Sequence, residues 1–207
     1  MNRIASFALL SAFALSAAAE TVNFDTHPVG ATPADWTCAA HGNARGPGNP
    51  VWKVEADAKA PSAPNVLLQS GSSAYAYCIK NGVSMADGTL EVRFKPIFGE
   101  NAQAGGLVFR FKDQDNYYVA RPNANESNIN LYYFDKGKRM SAKEVSTPTI
   151  ALNEWHTLKV VFKGKHIEAA LDGKTLIDVE DDHITGAGGI GVWTRFDSKT
   201  AFDDFKY

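Results

Sequence analysis

Short runs in which apolar and polar residues alternate, interrupted by glycine, proline and polar turns, are the feature that most limits how this chain can fold. The segment Gly88–Pro96 is typical, because Leu90, Val92 and Phe94 alternate with charged or polar residues. A period of two places apolar side chains on one face of a β-strand. Beyond the N-terminal apolar run, no segment keeps the 3.6-residue helical period over three turns. The sequence therefore predicts an all-β protein.

Three such runs follow each other between Gly105 and Phe134 and predict a β-meander. The first run ends in a polar turn, Lys112–Asn116, and the second, Tyr117–Arg121, returns beside it. The third run, Ile129–Phe134, follows an Asn-rich loop. Polar turns between alternating runs are typical of antiparallel strands joined by hairpins.

Alternation within this meander predicts which side chains face the core. The predicted core-facing residues of its outer runs are Leu107, Phe109, Phe111, Ile129, Leu131 and Tyr133. The residues predicted to face the other way are Val108, Arg110, Asn130, Tyr132 and Phe134. The face directed away from the core thus carries aromatic and polar groups.

Similar runs and tight turns continue to the end of the chain and predict roughly a dozen strands in all. One of the turns, Leu171–Gly173, contains Asp-Gly, which favours the two-residue hairpin turns that match strand twist. A chain with many short antiparallel strands and one core predicts a two-sheet antiparallel sandwich, specifically a jelly roll.

The first 19 residues have the parts of a signal peptide. Arg3 precedes the apolar run Ile4–Leu15, and the small residues Ser16–Ala19 end the segment. The run is short for a membrane span, so we do not expect an integral membrane protein. We predict that residues 1–19 are removed, that residues 20–207 form one domain, and that the protein is exported to the bacterial periplasm or secreted.

Charge argues against nucleic acid as a partner. Without Arg3 the chain has 21 − 1 = 20 basic residues against 23 acidic ones, a formal charge of −3. Nucleic-acid-binding proteins need a basic stripe, and the sequence has none. Its densest basic segment, Lys136–Arg139, contains Gly137 and is predicted to be only a charged hairpin turn.

The chain has two cysteines, Cys38 and Cys78. A small, even number of cysteines in an exported protein predicts a disulfide, the alternative being two buried free thiols. In the chain-entropy model, closing a loop of about 40 residues stabilises a fold by roughly 3 to 4 kcal/mol.

Several segments resemble the concanavalin A-like lectin and glucanase superfamily, including its laminin-G-like members. Between Gly186 and Thr194 the chain reads GxxGxGxWT, and it ends in FDDF at Phe202–Phe205. It is also similar to exported bacterial domains related to the 3-keto-disaccharide hydrolase group, in the segments AGGLVFRF, NYYVAR and EWHTLKV. The resemblance implies a concanavalin A-like jelly roll. Members of the superfamily include lectins, carbohydrate-binding modules, glycoside hydrolases and lyases, so fold alone does not select a function.

Polar and aromatic residues around the meander predict a binding site for an oligo- or polysaccharide. Amides, guanidinium groups and a carboxylate suit sugar hydroxyls, and the rings of Tyr118, Tyr132 and Trp193 suit the flat apolar face of a pyranose. The alternative is a ladder of cross-strand polar pairs that only solvates the sheet. The candidate ligand-binding residues are Arg110, Tyr118, Arg121, Asn123, Asn125, Glu126, Asn128, Tyr132, Trp193 and Arg195.

Catalysis has weaker support in the sequence. Laminarinase-type glycosidases of this fold carry the carboxylates of an ExDxxE motif on one strand face, and no such triple occurs here. We therefore predict a non-catalytic, lectin-like domain. One alternative is a glycoside hydrolase, a lyase or a 3-keto-glycoside hydrolase that uses Glu126 with Asp113 or Asp115. Another is a structural or adhesive protein of the cell envelope.

No cofactor is predicted, but a structural calcium ion is considered. Asp25 lies near the first strand, and Asp203 and Asp204 lie on the last. Because the first and last strands of such sandwiches often pair, these three carboxylates are predicted to meet, and oxygen ligands suit Ca²⁺. The alternative is that one of them faces solvent and another binds a loop amide.

Overall fold

The computed structural model describes residues 19–41 and 48–207, which form two antiparallel β-sheets packed face to face. The predicted signal peptide, residues 1–19, lies outside these residues except for Ala19. Within the described part of the chain, no helix is long and apolar enough to cross a membrane. The all-β prediction is confirmed.

In the described part of the chain, fifteen strands, numbered β1 to β15 in chain order, make up the two sheets. The eight-stranded sheet contains β1 (Thr21–Val22), β3 (Trp52–Ala56), β4 (Asn65–Gln69), β6 (Gly88–Phe98), β11 (His156–Lys163), β12 (His166–Leu171), β13 (Lys174–Glu180) and β15 (Lys199–Lys206). The seven-stranded sheet contains β2 (Trp36–Ala40), β5 (Ser73–Lys80), β7 (Gly106–Asp113), β8 (Asn116–Asn123), β9 (Asn128–Asp135), β10 (Lys138–Ser146) and β14 (Gly189–Phe196).

The strand order explains how the chain crosses repeatedly between the two sheets. The eight-stranded sheet has the order β13-β12-β11-β6-β15-β4-β3, with β1 added beside β15. The seven-stranded sheet has the order β10-β9-β8-β7-β14-β5-β2. In both sheets a C-terminal strand lies between strands from much earlier in the chain, as in jelly rolls. The predicted two-sheet antiparallel sandwich is confirmed.

The main core lies between the sheets and is built by the predicted alternation. On β6, Leu90 and Val92 are fully buried and Phe94 is 1% exposed, whereas their charged neighbours face outward. Opposite them, Leu107 and Phe109 of β7 are also fully buried. Each such side chain contributes about 1.5 to 3 kcal/mol when it is removed from water.

A disulfide joins the edge strand β2 of the seven-stranded sheet to its neighbour β5. Cys38 of β2 lies directly opposite Cys78 of β5, and the two are bonded. The predicted pairing is confirmed, and no free cysteine remains among the described residues.

A tight turn between β9 and β10 fixes the register of the edge strand β10. Lys136 and Gly137 have φ values of 49° and 78°, the left-handed backbone that two-residue hairpin turns require. This turn pairs Phe134 with Arg139. Because directly opposite residues share a face of the sheet, Arg139 lies on the same side as Phe134.

The seven-stranded sheet curls toward the side that faces away from the core. The rings of Tyr75 on β5 and Phe134 on β9 are 5.0 Å apart, although β14, β7 and β8 lie between their strands. Four strand spacings in a flat sheet measure about 19 Å, more than two side chains span. We call this side the concave face. Its buried apolar cluster consists of Tyr77, Ile79, Val108, Tyr117, Val119, Tyr132, Phe134 and Trp193.

Candidate functional site

A β-bulge in β7 reverses the predicted direction of Arg110. The φ of Arg110 is 49°, and the pairing of β7 with both neighbouring strands changes register around it. At this bulge the backbone of Arg110 lies close to that of Gly188, just before β14. A glycine permits this contact, because a Cβ at that position would lie 2.4 Å from the carbonyl carbon of Arg110. After the bulge, Phe111 packs on the concave face and not in the main core, contrary to the prediction.

Arg110 therefore contacts loops at one end of the sandwich and is not part of the predicted ligand site. Its guanidinium lies 5.5 Å from the ring centre of the core residue Phe162. It donates hydrogen bonds to the carbonyl oxygens of Ala86 at 3.0 Å and Ile184 at 3.1 Å. These contacts tie loops to the sheet and leave Arg110 only 1% exposed.

Tyr118 is also wrongly predicted as a sugar platform. It lies opposite Tyr133 in the main core and stacks on Phe109, with ring centres 5.1 Å apart. Its hydroxyl donates to the carboxylate of Asp181 and accepts a hydrogen bond from the amide of Ile184. Burial, together with the bond to Asp181, raises the pKa of Tyr118. Both faces of the ring are covered by the protein.

Trp193 points to the predicted side of the sheet but offers no free surface. It lies on the concave face and is fully buried. The half-exposed ring of Tyr75 covers it, with ring centres 5.8 Å apart, and its Nε1 donates to the hydroxyl of Tyr117 at 3.3 Å. The curvature of the sheet brings Tyr75 over Trp193. The prediction that Trp193 is itself the stacking platform is therefore wrong.

A hydrogen-bonded polar group lies at the β8–β9 end of the concave face. Arg121, which is 1% exposed, donates from Nη1 to Glu126 at 2.9 Å and from Nη2 to the hydroxyl of Tyr132 at 2.9 Å. Asn130 donates to the same hydroxyl at 2.6 Å, and Asn128 donates to Glu126 at 3.2 Å. The structure thus brings together four of the predicted residues and adds Asn130.

Asn123 and Asn125, the two other asparagines predicted to bind ligand, have different surroundings. Asn123 is fully buried, and its Oδ1 accepts a hydrogen bond from the backbone amide of Gln103 at 2.8 Å. That contact holds the loop before β7 in place. Asn125 is exposed in the turn between β8 and β9. The Nδ2 of Asn123 approaches Glu126 but is buried without a hydrogen-bond partner of good geometry, whereas Asn125 has no buried unpartnered atom.

Glu126 stays ionised over the whole neutral range. Burial raises the pKa of its carboxyl, but the amide of Asn123 and the guanidinium of Arg121 lower it more, from 4.5 to about 2. The Asn123 Nδ2 makes no hydrogen bond of good geometry, so we assign most of the effect to the 2.9 Å ion pair with Arg121.

Two further arginines approach this group. Arg139 has its guanidinium carbon 4.5 Å from the ring centre of Tyr132 and 5.5 Å from that of Tyr75. Arg195, which is half-exposed, has a lowered pKa because of burial and because of the charges of Arg139 and Arg121. Arg195 was predicted as a ligand residue, whereas Arg139 was missed. A two-residue hairpin turn at Lys136–Gly137, if it had been assumed from the sequence, would have predicted that Arg139 lies opposite Phe134.

Six buried polar atoms of this face have no hydrogen-bond partner among the described residues. They are Arg121 Nε, Asn123 Nδ2, Asn128 Oδ1, Asn130 Oδ1, Arg139 Nη1 and Arg195 Nε. A buried polar atom without a partner costs roughly 1 to 3 kcal/mol. Their concentration beside aromatic rings on a concave surface marks the site that we consider functional.

The proposed catalytic pairs do not form. Asp113 ends β7 and Asp115 lies in the turn before β8, whereas Glu126 follows the other end of β8. Eight residues of β8 span about 23 Å, far beyond the roughly 5 to 9.5 Å between paired glycosidase carboxylates. Asp113 instead accepts hydrogen bonds from Asp115 and Asn116 within its own turn.

The predicted calcium ligands do not form a cluster either. Asp25 accepts a hydrogen bond from the amide of Asn65 at 3.0 Å, and Asp203 accepts two from Ser62 at 2.9 Å. Asp203 is fully buried, which raises its pKa. In the described ranges, no three acidic, histidine or cysteine side chains are arranged to hold a metal. Asp25 and Asp203 instead fasten neighbouring segments to the eight-stranded sheet.

A cavity on the eight-stranded sheet lacks the features of a sugar site. It has a volume of about 510 Å³ and is lined by Glu91, Lys159 and Lys206, among others. Lys206 donates to Glu91 at 3.0 Å, so these two charges satisfy each other. None of the buried unpartnered atoms belongs to the residues that line it.

Solved structures with the same fold include proteins that act on or bind carbohydrates. The carbohydrate-binding module CBM66 from Bacillus subtilis is 23% identical and superposes with a TM-score of 0.67, over 83% of this chain and 93% of the module. A prokaryotic β-1,3-1,4-glucanase (lichenase) from a mouse hindgut metagenome is 15% identical, with a TM-score of 0.61 over 91% and 98% of the chains. A β-glucanase from Bacillus licheniformis is 12% identical, with a TM-score of 0.54 over 83% and 97%.

Sequence comparison identifies the family. No curated protein matches the chain significantly. The family model described as the 3-keto-alpha-glucoside-1,2-lyase-like domain matches residues 24–206, nearly the whole of the described fold. The resemblance noted in the sequence is confirmed, and the chain belongs to the family of 3-keto-alpha-glucoside-1,2-lyase-like domains.

Proposed function

We propose that this protein is a carbohydrate-binding domain without catalytic activity, and that its ligand site is the concave face. The observation that carries the proposal is the group of buried polar atoms without partners beside the rings of Tyr75 and Tyr132. Protein folding normally pairs such atoms, so their presence on a concave surface fits a ligand that completes the hydrogen bonds.

The chemistry of this face suits a sugar. A sugar hydroxyl donates and accepts hydrogen bonds, and Asn130 Oδ1 offers an acceptor beside the donor Arg121 Nε. The half-exposed ring of Tyr75 offers an apolar surface that matches the CH groups of a pyranose. Because Tyr75 is itself packed on Trp193, little entropy is lost when a sugar covers it.

The electrostatics of the face favour binding over catalysis. A general acid in glycoside cleavage needs a raised pKa, whereas the pKa of Glu126 is lowered to about 2 by its surroundings. Asp203 does have a raised pKa, but it is fully buried and bonded to Ser62, so it reaches no substrate. Neither carboxyl group is prepared to donate a proton to a leaving group.

Enzymatic action is the second candidate, because the family model names lyase-like domains. A lyase of that name acts on a 3-keto-alpha-glucoside, where proton removal beside the ketone needs a base and not a strong acid. The neighbours in structure include a binding module and glucanases, so they support a carbohydrate ligand without separating these two functions.

We further propose that the protein is exported. The signal-peptide pattern of residues 1–19 motivates this proposal. The disulfide between Cys38 and Cys78 supports it, since such bonds persist in oxidising compartments.

The proposed site is tested with the chain lacking residues 1–19 on an array of neutral and charged glycans. The best ligand is then titrated by calorimetry against the wild type, Tyr75→Ala and Trp155→Ala. Trp155 is a matched control, because it is a half-exposed aromatic residue beside Lys95 of the eight-stranded sheet. We expect Tyr75→Ala to weaken binding about ten-fold, equivalent to ~1.4 kcal/mol, and Trp155→Ala to leave it unchanged.

Two outcomes contradict the proposal. If Tyr75→Ala binds as tightly as the wild type, the concave face is not the site. If mass spectrometry shows that the wild type converts the array ligand or a 3-keto-alpha-glucoside, the protein is an enzyme and the non-catalytic proposal is wrong.

A further inference from the structure

We propose that the concave face selects sugars that carry a negatively charged oxyanion, either a carboxylate or a sulfate. This inference rests on the proposed function and names the class of sugar. Arg121, Arg139 and Arg195 form a group with the carboxylate of Glu126, and these four residues together carry a charge of 3 − 1 = +2. A second carboxylate, Glu144, lies opposite Asn130 on the edge strand β10, but it is exposed and accepts a hydrogen bond from Ser141. This positive charge is local to the concave face, because residues 20–207 as a whole carry a formal charge of −3.

The three guanidinium groups converge although they come from three different strands. Arg121 and Arg139 both lie over the ring of Tyr132, at 5.4 and 4.5 Å from its centre. Arg195 follows Trp193, whose ring stacks on the ring of Tyr75 that Arg139 also contacts. Burial and the charges of Arg139 and Arg121 lower the pKa of Arg195. The curl of the sheet brings arginines of β8, β10 and β14 to this face.

Such a cluster of like charges is unfavourable unless something offsets it. Glu126 pairs with Arg121, but in the described part of the chain neither Arg139 nor Arg195 forms an ion pair. A bound anion would neutralise one of the remaining positive charges in a partly desolvated site, where an ion pair is stronger than in water.

The unpartnered atoms fit an anion better than a neutral sugar alone. Four of the six are donors, on Arg121, Asn123, Arg139 and Arg195, and two are acceptors, the Oδ1 atoms of Asn128 and Asn130. A carboxylate or sulfate oxygen only accepts, whereas each hydroxyl also needs an acceptor for its proton. The excess of donors therefore matches an oxyanion, and Asn130 remains for a hydroxyl of the same sugar.

The aromatic rings prepare the guanidinium group of Arg139 for that task. Tyr132 and Tyr75 both contact it and its Nη1 has no partner, whereas Arg121 already donates from Nη1 to Glu126 and from Nη2 to Tyr132. Stacking on a ring covers the flat face of a guanidinium and leaves its N–H edge free. That edge is the part that bonds carboxylate and sulfate with two parallel hydrogen bonds.

The test compares three methyl glycosides that differ at one position: a neutral hexoside, the corresponding uronide and the corresponding sulfate ester. Each is titrated against the wild type, Arg139→Gln and Lys159→Gln. Lys159→Gln removes one positive charge from the opposite sheet and serves as the control for net charge. Free sulfate and acetate are titrated separately, and circular dichroism confirms that each variant is folded.

We expect the uronide or the sulfate ester to bind at least ten-fold more tightly than the neutral hexoside. Arg139→Gln should remove most of that preference while the neutral hexoside keeps its affinity, and Lys159→Gln should change neither. The preference should also weaken between 50 mM and 500 mM salt, because an ionic contact is screened. Whichever charged sugar is preferred then identifies the oxyanion.

The contrary results separate this inference from the proposed function. Equal binding of neutral and charged sugars, with both weakened by Tyr75→Ala, overturns the charge preference and supports the sugar site. Binding of free sulfate or acetate as tight as that of the charged sugar overturns selection of a sugar. No binding of any glycoside, on the array or by titration, contradicts the proposed function itself.

Discussion

The two outer faces of the sandwich are built from the same alternation of residues but have opposite electrostatics. On the eight-stranded sheet, opposite charges pair, as in Lys206 with Glu91 and Lys95 with Asp57. On the concave face of the seven-stranded sheet, Arg139 and Arg195 approach each other and Arg121. The first face is a solvated charge ladder, whereas the second concentrates like charges over buried aromatic rings.

Curvature accounts for much of this difference. The curl of the seven-stranded sheet brings side chains of distant strands together, so that Tyr75 meets Phe134 and covers Trp193. Crowding removes water from the polar groups of this face, and six polar atoms stay without partners among the described residues. On the eight-stranded sheet the outward charges pair with one another, although the Nε of Arg93 is buried there without a partner. That face therefore leaves fewer polar atoms unpartnered than the concave face does.

The largest expected effect comes from removing Trp193, which the concave face buries as a second core. We predict that Trp193→Ala destabilises the fold by about 3 to 5 kcal/mol, the range for large-to-small changes of buried aromatic residues. The physical reason is the loss of its contacts with Tyr75 and the cavity left below that ring. Chemical denaturation with urea measures the change in the free energy of unfolding.

Trp155→Ala on the other sheet is the control for that measurement. Trp155 is half-exposed and meets Lys95 at 4.7 Å in a cation–π contact, so we expect a loss of about 1 kcal/mol or less. Equal losses for the two tryptophans would show that the concave face is not a core, and the comparison between the faces would fail.

The fold was predictable from the sequence because alternation is a local property. The pattern of Asn130, Tyr132 and Phe134 gave the correct outward face of β9, and Ile129 and its alternate neighbours gave the correct core face. Nothing beyond the period of two was needed. Polar residues next to aromatic ones on that face pointed to the candidate site around Arg121, whose function stays a prediction.

The failures arise where the structure departs from regular strands or depends on long-range packing. The bulge at Arg110 reverses the faces of Phe111 and Arg110, and its partner Gly188 lies far away in sequence. The burial of Trp193 depends on curvature, which no local pattern reports. Arg139 is different, because its position follows from the adjacent hairpin turn and could have been predicted from the sequence.

An intermediate effect is expected from the carboxylate of the concave face. The pKa of Glu126 falls from 4.5 to about 2 on folding, so its ionised form stabilises the native state. That contribution is complete above about pH 4.5 and is lost as the pH falls toward 2. Because the side chain is 41% exposed, solvent screens the pair, and we expect about 1 kcal/mol.

The measurement compares the wild type with Glu126→Gln at several pH values. The wild type should be the more stable of the two at pH 7, and the difference should shrink below pH 4.5 and vanish near pH 2. Asp57 also has a lowered pKa and titrates in both proteins, so the comparison cancels its effect. A difference that is constant from pH 7 to pH 2 would rule out the ion pair with Arg121 as the cause.

The smallest effect is predicted for the charge ladder itself. Lys206 and Glu91 are 3.0 Å apart, with side chains 43% and 29% exposed, a geometry in which an ion pair contributes only about 0.2 to 1 kcal/mol. A double-mutant cycle of Lys206→Ala and Glu91→Ala should give a coupling within that range, and high salt should reduce it. Sugar affinity should stay unchanged in all three variants, because neither residue lies on the concave face. A loss of affinity in Lys206→Ala would instead place the ligand in the cavity of the eight-stranded sheet and would reverse the roles that we assign to the two faces.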